Sequence, residues 1–175
     1  MKRRDILENQ VNRAYLSIGS NLGKKIYNLE KTKYLLDLYG INILKVSSLY
    51  QTKSWPNKSF PDYINTVFLV KTYLNLTDLF KKLKFIEKIM GRIDAPKNFP
   101  RICDIDIIDY NGKWRNISYL GHKIEVPHAK MHQRNFVLVP LYEINRNWIH
   151  PKFKKNIVKL ISSLSTKDLR TIKLS

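Results

Sequence analysis

Two aspartates separated by one residue, Asp104 and Asp106, lie in the apolar segment PRICDIDII that spans residues 100–108. The β-branched residues around them predict a strand, and side chains alternate faces along a strand, so both carboxylates point the same way. Two like charges on one sheet face are costly unless a cation lies between them. A Mg²⁺ ion shared with substrate phosphates would supply that cation. The alternative is an edge strand whose acidic face is solvated.

Basic side chains near this segment fit the same chemistry. Arg92 and Arg101 flank the loop that precedes the aspartates. A planar guanidinium group can hold two phosphate oxygens, so both arginines could offset the charge on a transferring phosphoryl group. The alternative pairs Arg101 with Asp104 or Asp106 as an ordinary salt bridge.

Three other polar side chains allow a functional and a structural interpretation. Glu87 falls near the edge of an apolar helical stripe, where a carboxylate with a partner is one interpretation and a carboxylate that reaches solvent is the favoured one. Tyr63 and Asn65 share a strand face and could clamp a flat, hydrogen-bonding ring. A tyrosine on a strand face is more often part of the core, and that interpretation is favoured from these residues alone.

The formal net charge of +18, from 32 basic and 14 acidic residues, indicates either a polyanionic partner or a compositional bias. The lysines are scattered along the chain and never exceed two in a row, which favours the bias. The chain is 43% hydrophobic over 175 residues, which predicts one folded domain.

Residues and motifs that the sequence lacks also exclude several classes of protein. Cys103 is the single cysteine, so an internal disulfide is excluded, and the four histidines lack the spacing of a zinc site. No apolar run approaches the roughly 20 residues that a membrane-spanning helix needs. The first 13 residues lack the apolar core of a secretory signal. The sequence also lacks the phosphate-binding motifs G-x-x-x-x-G-K-[ST] and G-x-G-x-x-G. We expect a cytoplasmic monomer that does not bind membranes.

Hydrophobic periodicity and turn residues predict the elements that position these groups. Strands are predicted over residues 14–18, 41–50, 63–73 and around the two aspartates, followed by a short strand pair. Helices are predicted over residues 26–39, from an N-cap at Thr77 to Gly91, over 136–144 and over 156–164. The order strand-helix-strand-strand-helix-strand predicts an α+β, ferredoxin-like βαββαβ antiparallel sheet with extra C-terminal elements.

Seven short motifs resemble, in order and spacing, one family of enzymes. They are GSNLG (19–23), SSLYQT (47–52), DYIN (62–65), IE with GR (86–87 and 91–92), PR with DID (100–101 and 104–106), VPH with an arginine (126–128 and 134), and FVLVPL (136–141). Together they resemble 6-hydroxymethyl-7,8-dihydropterin pyrophosphokinases. The resemblance predicts that residues 13–151 form the pterin diphosphokinase-like part, with an N-terminal extension at 1–12 and a C-terminal tail or helix at 152–175.

The resemblance implies a folate-pathway enzyme that transfers the diphosphate of ATP to the hydroxymethyl group of 6-hydroxymethyl-7,8-dihydropterin and releases AMP. It implies that Asp104 and Asp106 hold two Mg²⁺ ions and that Arg92 and Arg101 are catalytic. The implied ATP-binding residues are Lys84, Glu87, His128 and Arg134. The implied pterin-binding residues are Thr52, Trp55, Tyr63, Asn65 and Phe136.

Two alternatives stay open. Segment 93–99 is one residue shorter than in the family and Lys53 replaces a usual proline, which would fit a catalytically weakened homologue that binds pterin and ATP. A basic RNA-binding domain would fit the charge of +18, but it gives no reason for paired aspartates on a strand.

Overall fold

The computed structural model describes residues 10–54, 57–92, 96, 98–119 and 121–175. Trp55 and most of segment 93–99 therefore lie outside the described residues. The strands are β1 (Asn12–Ser20), β2 (Asn42–Val46), β3 (Tyr50–Thr52), β4 (Tyr63–Thr72), β5 (Asp104–Tyr110), β6 (Arg115–Tyr119), β7 (His122–Val126) and β8 (Lys173–Leu174). The helices are α1 (Lys25–Leu38), α2 (Leu76–Ile89), α3 (Asn135–Ile144), α4 (Ile157–Ser162) and α5 (Thr166–Leu169), with a 3-10 turn at Met131–Gln133.

Within the described part of the chain, six strands form one antiparallel sheet in the order β5-β1-β4-β3-β8, and β2 pairs with another stretch of β4. The interior strand β1 has β4 on one side and β5 on the other. A separate hairpin consists of β6 and β7. The prediction of a mixed α and β protein built on an antiparallel sheet is confirmed.

Each face of the sheet carries its own apolar core. On one face, β1 packs through Leu16 and Ile18 against α1 and α2, where Leu36 and Leu83 are buried. On the opposite face, a second cluster joins the sheet to helices α3 and α4. Its buried members include Val67, Ile108, Leu138, Trp148 and Leu160. The second cluster covers only one end of that face, so the other end is available for a site.

Helix α2 begins earlier than the sequence predicts. The N-cap is Asn75 and the predicted N-cap Thr77 is wrong, because Thr77 already lies inside the helix. The Asn75 side chain accepts a hydrogen bond from the backbone N–H of Asp78 at 2.9 Å. Asparagine is at least as good an N-cap as threonine, so the earlier start satisfies the free N–H groups equally well.

The strand predicted over residues 41–50 is divided into β2 and β3. The break falls at Ser48, whose backbone N–H donates to both carboxylate oxygens of Glu143 in α3 at 3.0 Å instead of to β4. The Ser48 hydroxyl and the Tyr50 hydroxyl each donate to the same carboxylate at 2.8 Å. Glu143 therefore ties α3 to the start of β3. None of the helices in the described ranges is long and apolar enough to cross a membrane.

Candidate active site

Asp104 and Asp106 point to the same face of β5, as the alternation along a strand predicts. Asp104 lies opposite Gly19 and Asp106 opposite Ser17 in the neighbouring strand β1. Between them, Ile105 points the other way and is buried in the core beneath α1 and α2. The two carboxylates therefore lie on the face that α1 and α2 leave free, with 30% and 28% of their side chains exposed.

Two arginines bind Asp104. Its Oδ1 atom accepts from Arg92 Nη1 at 2.9 Å and from Arg101 Nη1 at 3.1 Å. Burial alone would raise the pKa of the Asp104 carboxyl, but the guanidinium groups of Arg101 and Arg92 hold that pKa below its usual value. The carboxylate is therefore charged, and two cationic groups already converge on it.

A second pair of basic groups faces Asp106. Arg134 Nη1 donates to Asp106 Oδ2 at 3.0 Å, and His128 Nε2 lies 4.0 Å from the same oxygen. The other ring nitrogen of His128 accepts from the backbone N–H of Lys130 at 3.1 Å, which leaves the Nε2 edge facing the site. Burial lowers the pKa of His128 despite the nearby carboxylate of Asp106.

Glu87 lies beneath these groups and is only 1% exposed. The favoured interpretation of a solvent-reaching carboxylate is wrong, because the carboxylate is buried and three donors surround it. Arg92 Nη1 lies 2.6 Å from Oε1, Lys84 Nζ lies 2.8 Å from Oε2, and the backbone N–H of Ile105 donates to Oε1 at 2.7 Å. Burial raises the pKa of the Glu87 carboxyl, and Lys84 and Arg92 oppose that rise.

The other side of the site is formed by β3 and β4. Asn65 is 4% exposed, and its Nδ2 donates to Thr52 Oγ1 at 2.9 Å. Tyr63 lies two residues away on the same face, and burial raises the pKa of its hydroxyl. Asn65 is paired across the sheet with Gly19, which is itself paired with Asp104. The predicted pterin and metal residues are therefore two strands apart on one surface.

Gly19 has a specific role that sequence reasoning missed. A Cβ atom at this position would lie 2.9 Å from Asn65 Oδ1, closer than real Cβ contacts, and 3.3 Å from Tyr63 Cδ1, which is tighter than most. The missing side chain thus leaves room for both residues. A glycine at the end of a strand pattern is the available signal, since it often marks close approach of other groups.

Asn21 is a second residue whose role sequence reasoning missed. It is 1% exposed and exchanges two hydrogen bonds with the backbone of Arg101: the Arg101 N–H donates to its Oδ1 at 2.8 Å, and its own N–H donates to the Arg101 carbonyl at 3.1 Å. Its Nδ2 donates to Ser54 Oγ at 3.1 Å and to the carbonyl of Pro61 at 3.2 Å. Asn21 therefore joins the arginine side of the site to the loop between β3 and β4.

Phe136 lies in the first turn of α3 and packs partly against the second core cluster. The guanidinium carbon of Arg134 lies 5.5 Å from the centre of its ring. The start of α3 thus presents a cation and an aromatic ring together beside Asp106. Trp55, also predicted here, lies outside the described residues.

The donor set suits Mg²⁺. Asp104 and Asp106 offer hard carboxylate oxygens on one surface. They form a pair rather than a full ligand set, because the described residues contain no group of three or more His, Cys, Asp or Glu that could hold a metal ion. Mg²⁺ is commonly bound through one or two carboxylates, with water and substrate phosphates completing its shell. Three arginines and a histidine around two carboxylates can bind a polyphosphate and neutralise its charge.

The sequence model of one protein family, described as 7,8-dihydro-6-hydroxymethylpterin-pyrophosphokinase (HPPK), matches residues 15–146. A curated 2-amino-4-hydroxy-6-hydroxymethyldihydropteridine pyrophosphokinase of Aquifex aeolicus is 36% identical over 141 residues, which cover 81% of this chain and 85% of that protein. The folic acid synthesis protein fol1 of Pneumocystis carinii is 31% identical over 98% of this chain, but the chain spans only 22% of its length.

The fold is also similar to that of solved structures. In wild-type Plasmodium falciparum HPPK-DHPS, crystallised with pteroate, the similar region covers 87% of this chain and 44% of that one, with a TM-score of 0.72. The sequence identity is 15%, so the comparison concerns the fold alone.

Proposed function

The chain belongs to the 7,8-dihydro-6-hydroxymethylpterin-pyrophosphokinase family, and from that premise we propose that it catalyses the diphosphate transfer itself. The reaction takes the diphosphate of ATP to the hydroxymethyl group of 6-hydroxymethyl-7,8-dihydropterin and yields AMP and the pterin diphosphate, a step of folate biosynthesis. The observation that carries the proposal is the pair Asp104 and Asp106 on one sheet face, surrounded by Arg92, Arg101 and Arg134.

The transfer needs positioning and charge neutralisation rather than a covalent nucleophile on the protein. The pterin hydroxyl oxygen forms a bond to the β-phosphorus of ATP, the bond from that phosphorus to the α,β-bridging oxygen breaks, and AMP leaves with the bridging oxygen. The hydroxyl proton is released to solvent. Arg92 and Arg101 are placed to stabilise the negative charge on the transferring diphosphate.

Asp104 and Asp106 would hold two Mg²⁺ ions together with ATP. Bound there, the ions would polarise the phosphate oxygens and lower the charge that the attacking hydroxyl meets. Arg92, Arg101 and Arg134 now bind the two carboxylates, so these arginines must turn towards phosphate oxygens when the ions bind. Their present positions within 3.1 Å of the aspartates support that exchange of partners.

We assign ATP phosphate contacts to His128 and Arg134, which face Asp106. Lys84 is 40% exposed at its side chain and can reach a phosphate, whereas both oxygens of Glu87 are taken by protein donors. The prediction that Glu87 binds ATP stays a prediction, and its contacts support an indirect part in which it orients Lys84 and Arg92.

We assign the pterin to the surface beside Asn65. The ring would lie between Tyr63 and Phe136, with the amide of Asn65 and the hydroxyl of Thr52 at its polar edge. A flat ring with a hydrogen-bonding edge needs aromatic faces and a fixed amide, and the hydrogen bond from Asn65 to Thr52 fixes that amide. Trp55 is kept as a predicted contact.

We further propose a single domain with a ferredoxin-like βαββαβ core, which the strand order β5-β1-β4-β3 and the placement of α1 and α2 on one face support. Residues 13–151 would form the catalytic part, 1–12 an N-terminal extension and 152–175 a C-terminal tail. We also propose that the protein is a cytoplasmic monomer, and a reducing compartment suits a chain whose single cysteine has no partner for an internal disulfide.

The deciding experiment measures AMP released from ATP and Mg²⁺ with and without 6-hydroxymethyl-7,8-dihydropterin. Pterin-dependent AMP formation is the expected result. Binding of both substrates without AMP would instead establish the alternative of a catalytically weakened homologue. The RNA-binding alternative is not favoured, because it leaves the paired aspartates and the family match unexplained.

A further inference from the structure

The last eleven residues lie beyond the region that the family model matches, which ends at residue 146. Residues 165–175, here named the C-terminal strap, comprise α5 and β8. Ser165 caps α5 by accepting a hydrogen bond from the backbone N–H of Asp168 at 3.0 Å. One part of the strap contacts the start of α3 and the other pairs with β3, and these two elements carry residues assigned above to the pterin.

One end of the strap binds the start of α3. Asn135, the first residue of that helix, is 8% exposed, and its Nδ2 donates to the carbonyl of Asp168 at 2.6 Å and to Thr171 Oγ1 at 3.0 Å. Asn135 lies between Arg134, which binds Asp106, and Phe136, whose ring centre lies 5.5 Å from the Arg134 guanidinium carbon. The hydrogen bonds of Asn135 thus fix the turn that carries both residues.

The other end of the strap pairs with β3. Leu174 lies opposite Tyr50 and Lys173 opposite Gln51, and the Ser175 N–H donates to the carbonyl of Leu49 at 2.9 Å. This pairing gives the three-residue strand β3 a second neighbour besides β4. β3 carries Thr52, which holds the amide of Asn65.

We propose that the C-terminal strap sets the spacing between the start of α3 and β3, and that Asn135 is a positioning residue for the pterin. The inference rests on the proposed function, because Phe136 and Thr52 are assigned there to the pterin. The strap acts from outside the site, since it binds the side chain of Asn135 and the backbone of β3 rather than the side chains assigned to the pterin.

The test measures the Kd of 6-hydroxymethyl-7,8-dihydropterin by calorimetry in the presence of Mg²⁺ and a non-hydrolysable ATP analogue. Asn135→Leu and Thr171→Val each remove hydrogen bonds of the strap, and we expect the pterin Kd to rise about three- to tenfold in each. Thr171→Ser keeps the hydroxyl and should restore the wild-type Kd. A wild-type Kd in both Asn135→Leu and Thr171→Val would overturn the proposal.

The control is Asn156→Ala, which removes the N-cap of α4 but no strap contact. It should lower Tm without changing the pterin Kd, which separates positioning from a general loss of stability. An equal rise of the Kd in this control would contradict a specific role for the strap.

A measurement on the wild-type chain decides the matter even if a variant fails to fold. Binding couplings are reciprocal, so a strap that strengthens pterin binding must itself be stabilised by the pterin. Amide hydrogen exchange of residues 170–175 should slow when pterin binds, and unchanged exchange would reject the proposal. Failure of the proposed function would look different, because the wild-type chain would then release no AMP in the presence of the pterin, whatever the strap variants do to the pterin Kd.

Discussion

The backbone N–H of Ile105 donates a hydrogen bond of 2.7 Å to Oε1 of the buried Glu87. Ile105 is the residue between the two aspartates, so this bond ties α2 directly to the point of β5 where both carboxylates emerge. The same oxygen binds Arg92, which also binds Asp104. Glu87 therefore fixes the strand and one arginine of the site at once.

Replacing Glu87 should damage both the fold and the site. In Glu87→Ala, Arg92 loses a buried counter-ion and the N–H of Ile105 loses its acceptor, so we expect the free energy of unfolding to fall by about 3 kcal/mol. Urea unfolding measures the change. Glu30→Ala removes an exposed carboxylate of a surface ion pair on α1 and should alter stability by less than about 1 kcal/mol. Equal effects of the two changes would show that the buried network adds nothing.

Asp106→Ala should separate catalysis from stability. The carboxylate is 28% exposed, and its ion pair with Arg134 contributes little to folding, so Tm should stay near the wild-type value. Loss of one proposed Mg²⁺ ligand should lower kcat for AMP formation by at least about a hundredfold. Full activity of the folded variant would refute the metal assignment. Asp78→Asn, a change at an exposed carboxylate on α2, is the matched control and should keep full activity.

Gly19→Ala should weaken pterin binding through Asn65. The new Cβ would lie 2.9 Å from Asn65 Oδ1, so the amide must move and its bond to Thr52 must lengthen. We expect the KM for the pterin to rise about tenfold or more, because one amide hydrogen bond and its alignment are lost.

A double-mutant cycle tests that route from Gly19 to Asn65. In the Asn65→Ala background the clashing oxygen is absent, so Gly19→Ala should then have little further effect on the KM for the pterin. Additive effects of the two changes would mean that Gly19 acts through another neighbour.

The sequence predicted well the features that depend on local periodicity. The apolar stripe of α2 indicated a helix, and alternation along β5 placed Asp104 and Asp106 on one face, as the structure confirms. Both features depend on the spacing of residues within a single element.

The features that the sequence did not predict depend on contacts between distant elements. The buried position of Glu87 depends on the packing of α2 on β5, which brings the N–H of Ile105 to its carboxylate. The role of Gly19 likewise depends on its cross-strand neighbour Asn65. The pairing of β8 with β3 joins residues more than a hundred positions apart. The strand β8 has only two residues, which is too short to show the alternation that would predict a strand.

His150 provides a test of pH-dependent stability away from the site. It is 2% exposed, and burial lowers its pKa from 6.5 to about 4. The nearby His132 and Lys152 lower that pKa further, whereas Glu125 raises it. Its Nδ1 accepts from the backbone N–H of Lys152 at 3.2 Å and from that of Phe153 at 3.3 Å, so the folded chain needs the neutral ring.

The unfolded chain binds the proton more readily than the folded chain between pH 6.5 and about 4, so stability must fall as pH falls through this window. The contribution of His150 is fully present above pH 6.5, and its loss on acidification should be on the order of 3 kcal/mol. Urea unfolding at pH 7.5, 6, 5 and 4.5 measures the slope. His150→Asn keeps an acceptor where Nδ1 lies but cannot titrate, so its stability should fall less steeply over the same range. Identical slopes for wild type and His150→Asn would mean that another group controls the acid sensitivity.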